Sequence, residues 1–319
     1  MAAQTVLLVN PAASRLRDPA RRGRLVAAVQ AAPHLGGPSI EVVEAAEPSE
    51  LVAAATAALA AGAERIIVAG GDGTVVAVVS ALAGSGVPVA VLPGGTGNIL
   101  AGSVGIRGPM ERVPELLRRS RVRSIDVGAA RWGAGDDVAA TRGETRSSRL
   151  FGVGAGIGFD ARVMAATTAD QKRRLGRLSY FAVAVPHGLA IRNVACRLTV
   201  DGRTFETEAA VVLVVNCGEL VPGRLRPLRP IVPDDGLLDV IVVRAGNPLA
   251  GIHGVIAALV EPVSSGGPGG PAWRTLAREV RIETAVPEPV QVDGDAVGEG
   301  PLTAGLLPVP ALILVPDRG

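Results

Sequence analysis

At 319 residues, 48% of them hydrophobic and 19% charged, the chain is long enough for one large or two ordinary domains and too apolar for disorder. A net charge of +2 with 2% aromatic residues gives neither the field nor the stacking faces of a nucleic-acid binder, and no nucleic-acid partner is expected. Two cysteines, Cys196 and Cys217, cannot build a disulfide framework or a four-thiolate metal site, and read as reduced thiols of a cytoplasmic protein.

The only lysine, Lys172, stands in Gln171-Lys172-Arg173-Arg174 and follows no glycine loop, which sets P-loop chemistry aside. The uncharged span Val75–Ile106 is broken by Pro88, Pro93 and Gly94-Gly95, and Ala245–Val260 is short, so no membrane crossing is predicted. No basic segment precedes Val6–Val9, as a signal peptide would need.

The first 126 residues alternate strand and helix. Thr5–Asn10 is a β-branched apolar run ended by Asn10-Pro11; Leu16–Ala32 is helical and closed by Pro33; Ile40–Glu44 is a second strand. Ser49 as N-cap, with Glu50 in the first turn, opens an alanine-rich helix to about Ala61, closed by Gly62. Arg65–Ala69 and Val87–Leu92 are buried strands. Each is followed by a glycine turn, Gly70–Thr74 and Pro93–Asn98, and then by a helix, over Val75–Ala83 and from Ile99. Continuous apolar strands separated by helices predict a parallel sheet covered on both faces.

Beyond Val122–Gly128 the pattern changes. Arg131–Arg149 reads as an exposed hairpin loop, Leu150–Val153 as a strand and Arg177–Ile191 as a helix. Strand-like runs follow at Val194–Val200, Ala209–Asn216, Leu238–Arg244, Val280–Thr284, Val290–Val292 and Ala311–Val315, with a flexible loop at Ser264–Pro271. Strands with little helix predict a mainly antiparallel β domain.

Gly70-Gly71-Asp72-Gly73-Thr74 lies between a buried strand and a helix. Glycines let a ligand approach the backbone, and the free amides of a helix start attract phosphate oxygens. Asp72 there suits a Mg²⁺ ion bridging carboxylate and phosphate. Alone, the pentapeptide is also an ordinary turn of a doubly wound fold. Pro93-Gly94-Gly95-Thr96-Gly97-Asn98 repeats the arrangement after the next strand, and Asn10 ends a strand on the same sheet edge, where such sheets bind ligands.

These segments resemble the catalytic region of the diacylglycerol kinase, sphingosine kinase and bacterial lipid kinase superfamily. Gly156–Ala161, Lys172–Tyr180, Asn216, Pro233–Val240 and Gln291-Val292-Asp293-Gly294-Asp295 extend the resemblance over nearly the whole chain. It implies a three-layer, doubly wound α/β nucleotide domain over residues 1–126, joined by a C-terminal strand at about 309–319. A β-sandwich lipid-substrate domain would occupy 127–308. The implied activity is ATP- and Mg²⁺-dependent phosphorylation of a lipid hydroxyl, diacylglycerol first among candidates, by a cytoplasmic protein peripheral at the inner membrane face. The oligomeric state stays open, a homodimer being one option. A kinase acting on NAD or another small molecule, or a catalytically weak nucleotide-binding regulator, are the alternatives.

The resemblance also assigns residues. Asp72, Gly73 and Thr74, with Asn10, Gly70, Gly71, Gly95, Thr96, Gly97 and Asn98, would hold the ATP phosphates, Asp72 also serving the catalytic Mg²⁺. Asp293 would be the general base, and Asp295, where Glu is more usual, would join the nucleotide-binding set. Asp235, with the carbonyls of Val232 and Leu237, would ligate a structural Mg²⁺, although Asp-Asp-Gly is equally a common turn. Val76 and Ala77 depart from the family's polar pattern. The scattered histidines His34, His187 and His253 read as structural or solvated, and both cysteines as buried inert thiols.

Overall fold

The computed structural model describes residues 5–133, 147–159, 161–162, 191–218, 230–247, 250, 254, 257 and 266–317. The expected Arg177–Ile191 helix up to residue 190, Lys172 with its neighbouring arginines, Asp160, His187, His253 and most of the 131–149 loop lie outside them. The chain divides into two compact units, Met1–Val127 with Pro308–Gly319, and Gly128–Leu307.

The first unit is built on strands β1 (Thr5–Val9), β2 (Glu41–Glu44), β3 (Arg65–Gly70), β4 (Val89–Pro93), β5 (Ser120–Ile125) and, from the far end of the chain, β18 (Ala311–Pro316). They form one sheet in the order β2-β1-β3-β4-β18-β5, parallel except for β5, which runs antiparallel to β18. Every residue of β1 and β4 is buried, as expected of strands with helices on both faces.

Helices α1 (Pro19–Gln30), α2 (Pro48–Ala60), α3 (Asp72–Ala81), α4 (Ile99–Ser103) and α5 (Val113–Leu116) connect them. Helix α1 starts later than the composition implies, because Asp18 caps it by accepting the Ala20 N–H at 2.9 Å, with Pro19 at the first position. Glu47, not Ser49, is the N-cap residue of α2, and Pro48 opens that helix. Helix α3 begins at Asp72, not Val75, so Asp72, Gly73 and Thr74 are its first turn. Val75, Val76, Val78 and Val79 in α3 are buried, and α3 packs on α2 and β3. Valine is a modest helix former, so tertiary burial holds this helix. It also makes position 76 a packing position.

The second unit contains β6 (Gly128–Trp132), β7 (Ser148–Phe151), β8 (Gly154–Gly158), β9 (Val194–Val200), β10 (Arg203–Ala209), β11 (Val211–Val215), β12 (Leu238–Val243), β13 (Ala272–Ala277), β14 (Glu279–Thr284), β15 (Pro289–Val292), β16 (Asp295–Glu299) and β17 (Leu302–Leu306). Two antiparallel sheets result, ordered β10-β9-β14-β17-β6-β7 and β13-β12-β11-β8-β15-β16. Phe151, Leu198, Val212, Val214, Val240, Val280, Ile282 and Leu302 join their inner faces into one core, the sandwich the sequence predicts. In β9 the alternation is clean: Val194, Cys196, Leu198 and Val200 are buried, while Ala195 and Arg197 are exposed. The outer face of the second sheet is covered too, since Ile241 and Val243 cluster with Ile231. Among the described residues no helix is long and apolar enough to cross a membrane.

Candidate active site

In the first unit, β3 and β4 are parallel neighbours with Gly70 opposite Pro93, so both glycine turns leave the sheet at one edge. The Gly94 N–H donates to the Gly70 carbonyl at 2.8 Å. A Cβ on Gly95 would stand 2.7 Å from Gly71 Cα, and one on Gly94 would stand 2.8 Å from Leu16 Cδ1. The two turns therefore touch backbone to backbone, an approach that only glycine permits.

Polar side chains lock this arrangement. Asn10 donates through Nδ2 to Thr74 Oγ1 at 2.8 Å, and its Oδ1 accepts the Ala12 N–H at 2.8 Å. Both Asn10 and Thr74 are buried, so Asn10 orients Thr74 in the first turn of α3. Asn98 holds left-handed backbone (φ 54°) and closes its own turn, accepting the Gly95 N–H through Oδ1 and donating through Nδ2 to the Gly95 carbonyl, both at 2.9 Å. Asp72 accepts the Ile99 N–H at 2.6 Å, so the carboxylate at the head of α3 caps α4 and ties the two turns together.

The sequence reading overlooks the segment after Pro11. Arg15 donates its backbone N–H to the Gly94 carbonyl at 2.9 Å, and Ser14 Oγ lies 3.2 Å from Thr96 Oγ1. Neither position carries a motif, and only proximity of β1 to β3 could have pointed to them.

A strip of backbone without side chains, bordered by Thr74, Thr96 and the first turn of a helix, fits a chain of phosphates. Among the described residues no three His, Cys, Asp or Glu side chains gather. A magnesium ion at Asp72 would then take its remaining ligands from phosphate oxygens and water, the coordination that ion favours.

In the second unit, Asp293 follows β15 in left-handed backbone (φ 49°) and turns its carboxylate onto three consecutive amides. Oδ1 accepts from Val153 at 2.9 Å and Gly154 at 3.0 Å, and Oδ2 accepts from Gly152 at 3.2 Å. The Asp293 N–H donates to the Gly154 carbonyl at 2.8 Å, while Gln291 Oε1 accepts the Gly294 N–H at 2.9 Å. Burial pushes the Asp293 carboxyl up to about 6, against the three amides and Arg149, which pull it down. Asp295, exposed on β16, pairs with Arg149 at 3.1 Å.

Asp235 accepts the Leu237 N–H at 3.1 Å and so closes the turn into β12; burial, with Asp234 beside it, raises its carboxyl above the ordinary value. Val232 lies on the same approach to β12. His34 Nε2 bonds the Pro114 carbonyl at 2.7 Å, and both cysteines are buried.

Residues 4–130 match the family model described as "Diacylglycerol kinase catalytic domain", and residues 153–315 that of "YegS C-terminal NAD kinase beta sandwich-like domain". A protein of Mycobacterium tuberculosis named "Diacylglycerol kinase" is 28% identical over 67% of this chain and 65% of its own length. A "Probable lipid kinase YegS-like" protein of Shewanella frigidimarina is 26% identical over 66% of this chain and 64% of its own. The chain thus spans somewhat less than two thirds of the length of these curated relatives. A crystal structure from Bacillus anthracis str. Sterne superposes with a TM-score of 0.74 at 24% identity, over 98% of this chain and 95% of that one, a likeness of fold.

Proposed function

The chain belongs to the family of diacylglycerol kinases and YegS-like lipid kinases, and from that premise we propose that it transfers the γ-phosphoryl group of ATP to a lipid hydroxyl. Diacylglycerol is the acceptor that the names of its relatives favour. The observation that carries the reading is Asp293, a carboxylate held by three amides yet lifted to about 6, where it is ionised at neutral pH and still basic enough to take a proton.

In the proposed reaction the lipid oxygen bonds to the γ-phosphorus, the bond from that phosphorus to ADP breaks, and the hydroxyl proton passes to Asp293. Phosphoryl transfer needs chiefly alignment, charge neutralisation and one such acceptor. Gly70, Gly71, Gly73, Thr74, Gly95, Thr96 and Gly97 bind the phosphates, with Asn10 and Asn98 holding the turns in shape. Asp72 would serve a bound Mg²⁺, which when present offsets the charge of the phosphates, and Asp295 belongs to the proposed nucleotide-binding set. A second cation at Asp235 with the Val232 and Leu237 carbonyls belongs to the same proposal, as does action at the cytoplasmic membrane surface.

A second reading, phosphorylation of NAD, draws on the NAD kinase-like description of the matched sandwich. Labelled ATP offered with diacylglycerol and with NAD in parallel separates the two. Labelled phosphatidic acid supports the first, labelled NADP the second, and neither product overturns the kinase proposal.

A further inference from the structure

We infer that Asn216 and Cys217, just beyond β11, are positioning residues that hold the Asp293 carboxylate through the peptide units between them. The inference rests on Asp293 being the proton acceptor, and it concerns how the chain aims that group.

A trans peptide is planar, with its C=O and N–H pointing in opposite directions. The peptide joining Gly152 to Val153 gives its N–H to Asp293 Oδ1 at 2.9 Å. Its carbonyl accepts on the opposite side from Cys217 Sγ at 3.0 Å and Asn216 Nδ2 at 3.3 Å. The next peptide repeats the pattern. Its Gly154 N–H donates to Asp293 Oδ1 at 3.0 Å, and its Val153 carbonyl accepts from the Asn216 N–H at 2.8 Å and the Cys217 N–H at 3.3 Å.

Two successive peptide planes are thereby clamped from both sides, with Asp293 on one and the end of β11 on the other. Asn216 and Cys217 are both fully buried, and Gly152 is buried, so water cannot replace these donors cheaply. The strand register closes off retreat, because a Cβ at Gly154 would stand only 2.7 Å from the Val214 carbonyl. The segment is pressed onto β11 there. Loss of a side-chain donor at Gly152 frees its peptide to rotate, and the same rotation withdraws the Val153 N–H from the carboxylate. A thiol that only filled the core would be interchangeable with an apolar residue of its size, whereas a buried asparagine needs partners for its amide. Here both converge on one carbonyl, which apolar replacements would leave unsatisfied.

The test uses the full chain with MgATP and diacylglycerol in mixed micelles, comparing Cys217→Ala, which deletes the donor, with Cys217→Ser, which restores one. The expected result is a roughly tenfold fall in kcat for Cys217→Ala with both KM values within about twofold, and recovery to within about threefold in Cys217→Ser. In an Asp293→Asn background, Cys217→Ala should lower the residual kcat less than about twofold, because its effect runs through the carboxylate. A normal kcat in Cys217→Ala, a serine variant as slow as the alanine one, or a tenfold loss persisting without Asp293 each overturns the inference. If Cys217→Ala does not fold, Cys217→Ser decides alone: a fall beyond threefold overturns the inference. Asp293→Asn turning over at the wild-type rate counts instead against the proton-acceptor reading. Faster hydrogen exchange at the 152–154 amides of Cys217→Ala then still supports the clamp, and unchanged exchange refutes it.

Discussion

Replacing Asp293 by Asn removes the charge while keeping the shape of the turn after β15. The wild-type carboxyl titrates near 6 in the folded chain against an ordinary value of 3.8, so the folded state holds this proton more tightly than the unfolded chain does. The stability that this contributes is complete below about pH 4 and is lost as the pH climbs to about 6. A displacement of about two pH units is worth at most ~3 kcal/mol, less some screening because Asp293 keeps part of its surface in water. Asn carries no such dependence. Its Nδ2, facing the Gly152 N–H, adds a penalty of about 1–3 kcal/mol that does not vary with pH.

The informative quantity is therefore the difference in unfolding free energy, wild type minus Asp293→Asn, which should fall by about 2 kcal/mol between pH 4 and pH 7. Urea unfolding followed by tryptophan fluorescence measures it in the right place, since Trp132 and Trp273 both lie in the second unit. A flat difference across that range, or a rise, would refute the electrostatic account of this site.

Gly95→Ala should drive the two turns apart, because its Cβ would stand 2.7 Å from Gly71 Cα. We expect MgATP affinity by calorimetry to fall at least about tenfold with the tryptophan-monitored transition unmoved, and wild-type affinity would contradict the cradle. Asp72→Ala should lose the cap over Ile99, about 1 kcal/mol by thermal melts. Asp72→Asn keeps an acceptor and hence the stability, and both variants should turn over at least about a hundredfold more slowly. Wild-type turnover in either would remove Asp72 from the catalytic set. Saturating MgATP at a hundred times its Kd should stabilise the chain by about 2.7 kcal/mol in a calorimetric melt, an effect abolished by EDTA; an unchanged Tm would count against nucleotide binding.

The parallel half of the fold was legible because β1, β3 and β4 are continuous apolar runs that no amphipathic helix would tolerate. The sandwich was legible only where strands alternate or run apolar, as in β9, β11 and β12. The strand expected from the sequence stops short at Val153, and strand β8, Gly-Ala-Gly-Ile-Gly, is too rich in glycine to show a strand pattern. Its ends must be glycine because a Cβ at Gly154 or Gly158 would stand 2.7 or 2.6 Å from the Val214 or Ala210 carbonyl of the neighbouring segment. Strands β10 and β16 sit at sheet edges, where polar and charged side chains obscure a strand pattern.

At the site, the glycine turns announce themselves through local composition, but what holds them does not. Asp72 reads as an acidic residue before a helix, and nothing local shows that it caps a different helix 27 residues on. Resemblance singled out Asp293, yet its amide donors lie about 140 residues earlier in the chain, beyond the reach of any spacing rule. Long-range pairing of β15 with β8 brings them together, and that pairing rests on glycines that conceal the strand.

The proton-acceptor role meets its most direct test in the pH dependence of kcat/KM for the lipid at saturating MgATP, which reports ionisation of the free site. Wild-type activity should climb about tenfold per pH unit below a midpoint near 6 and level off above it, with Asp293→Asn at least about a hundredfold slower throughout. A wild-type profile that stays level from pH 5 to pH 8, or an asparagine variant on the same curve, would contradict it.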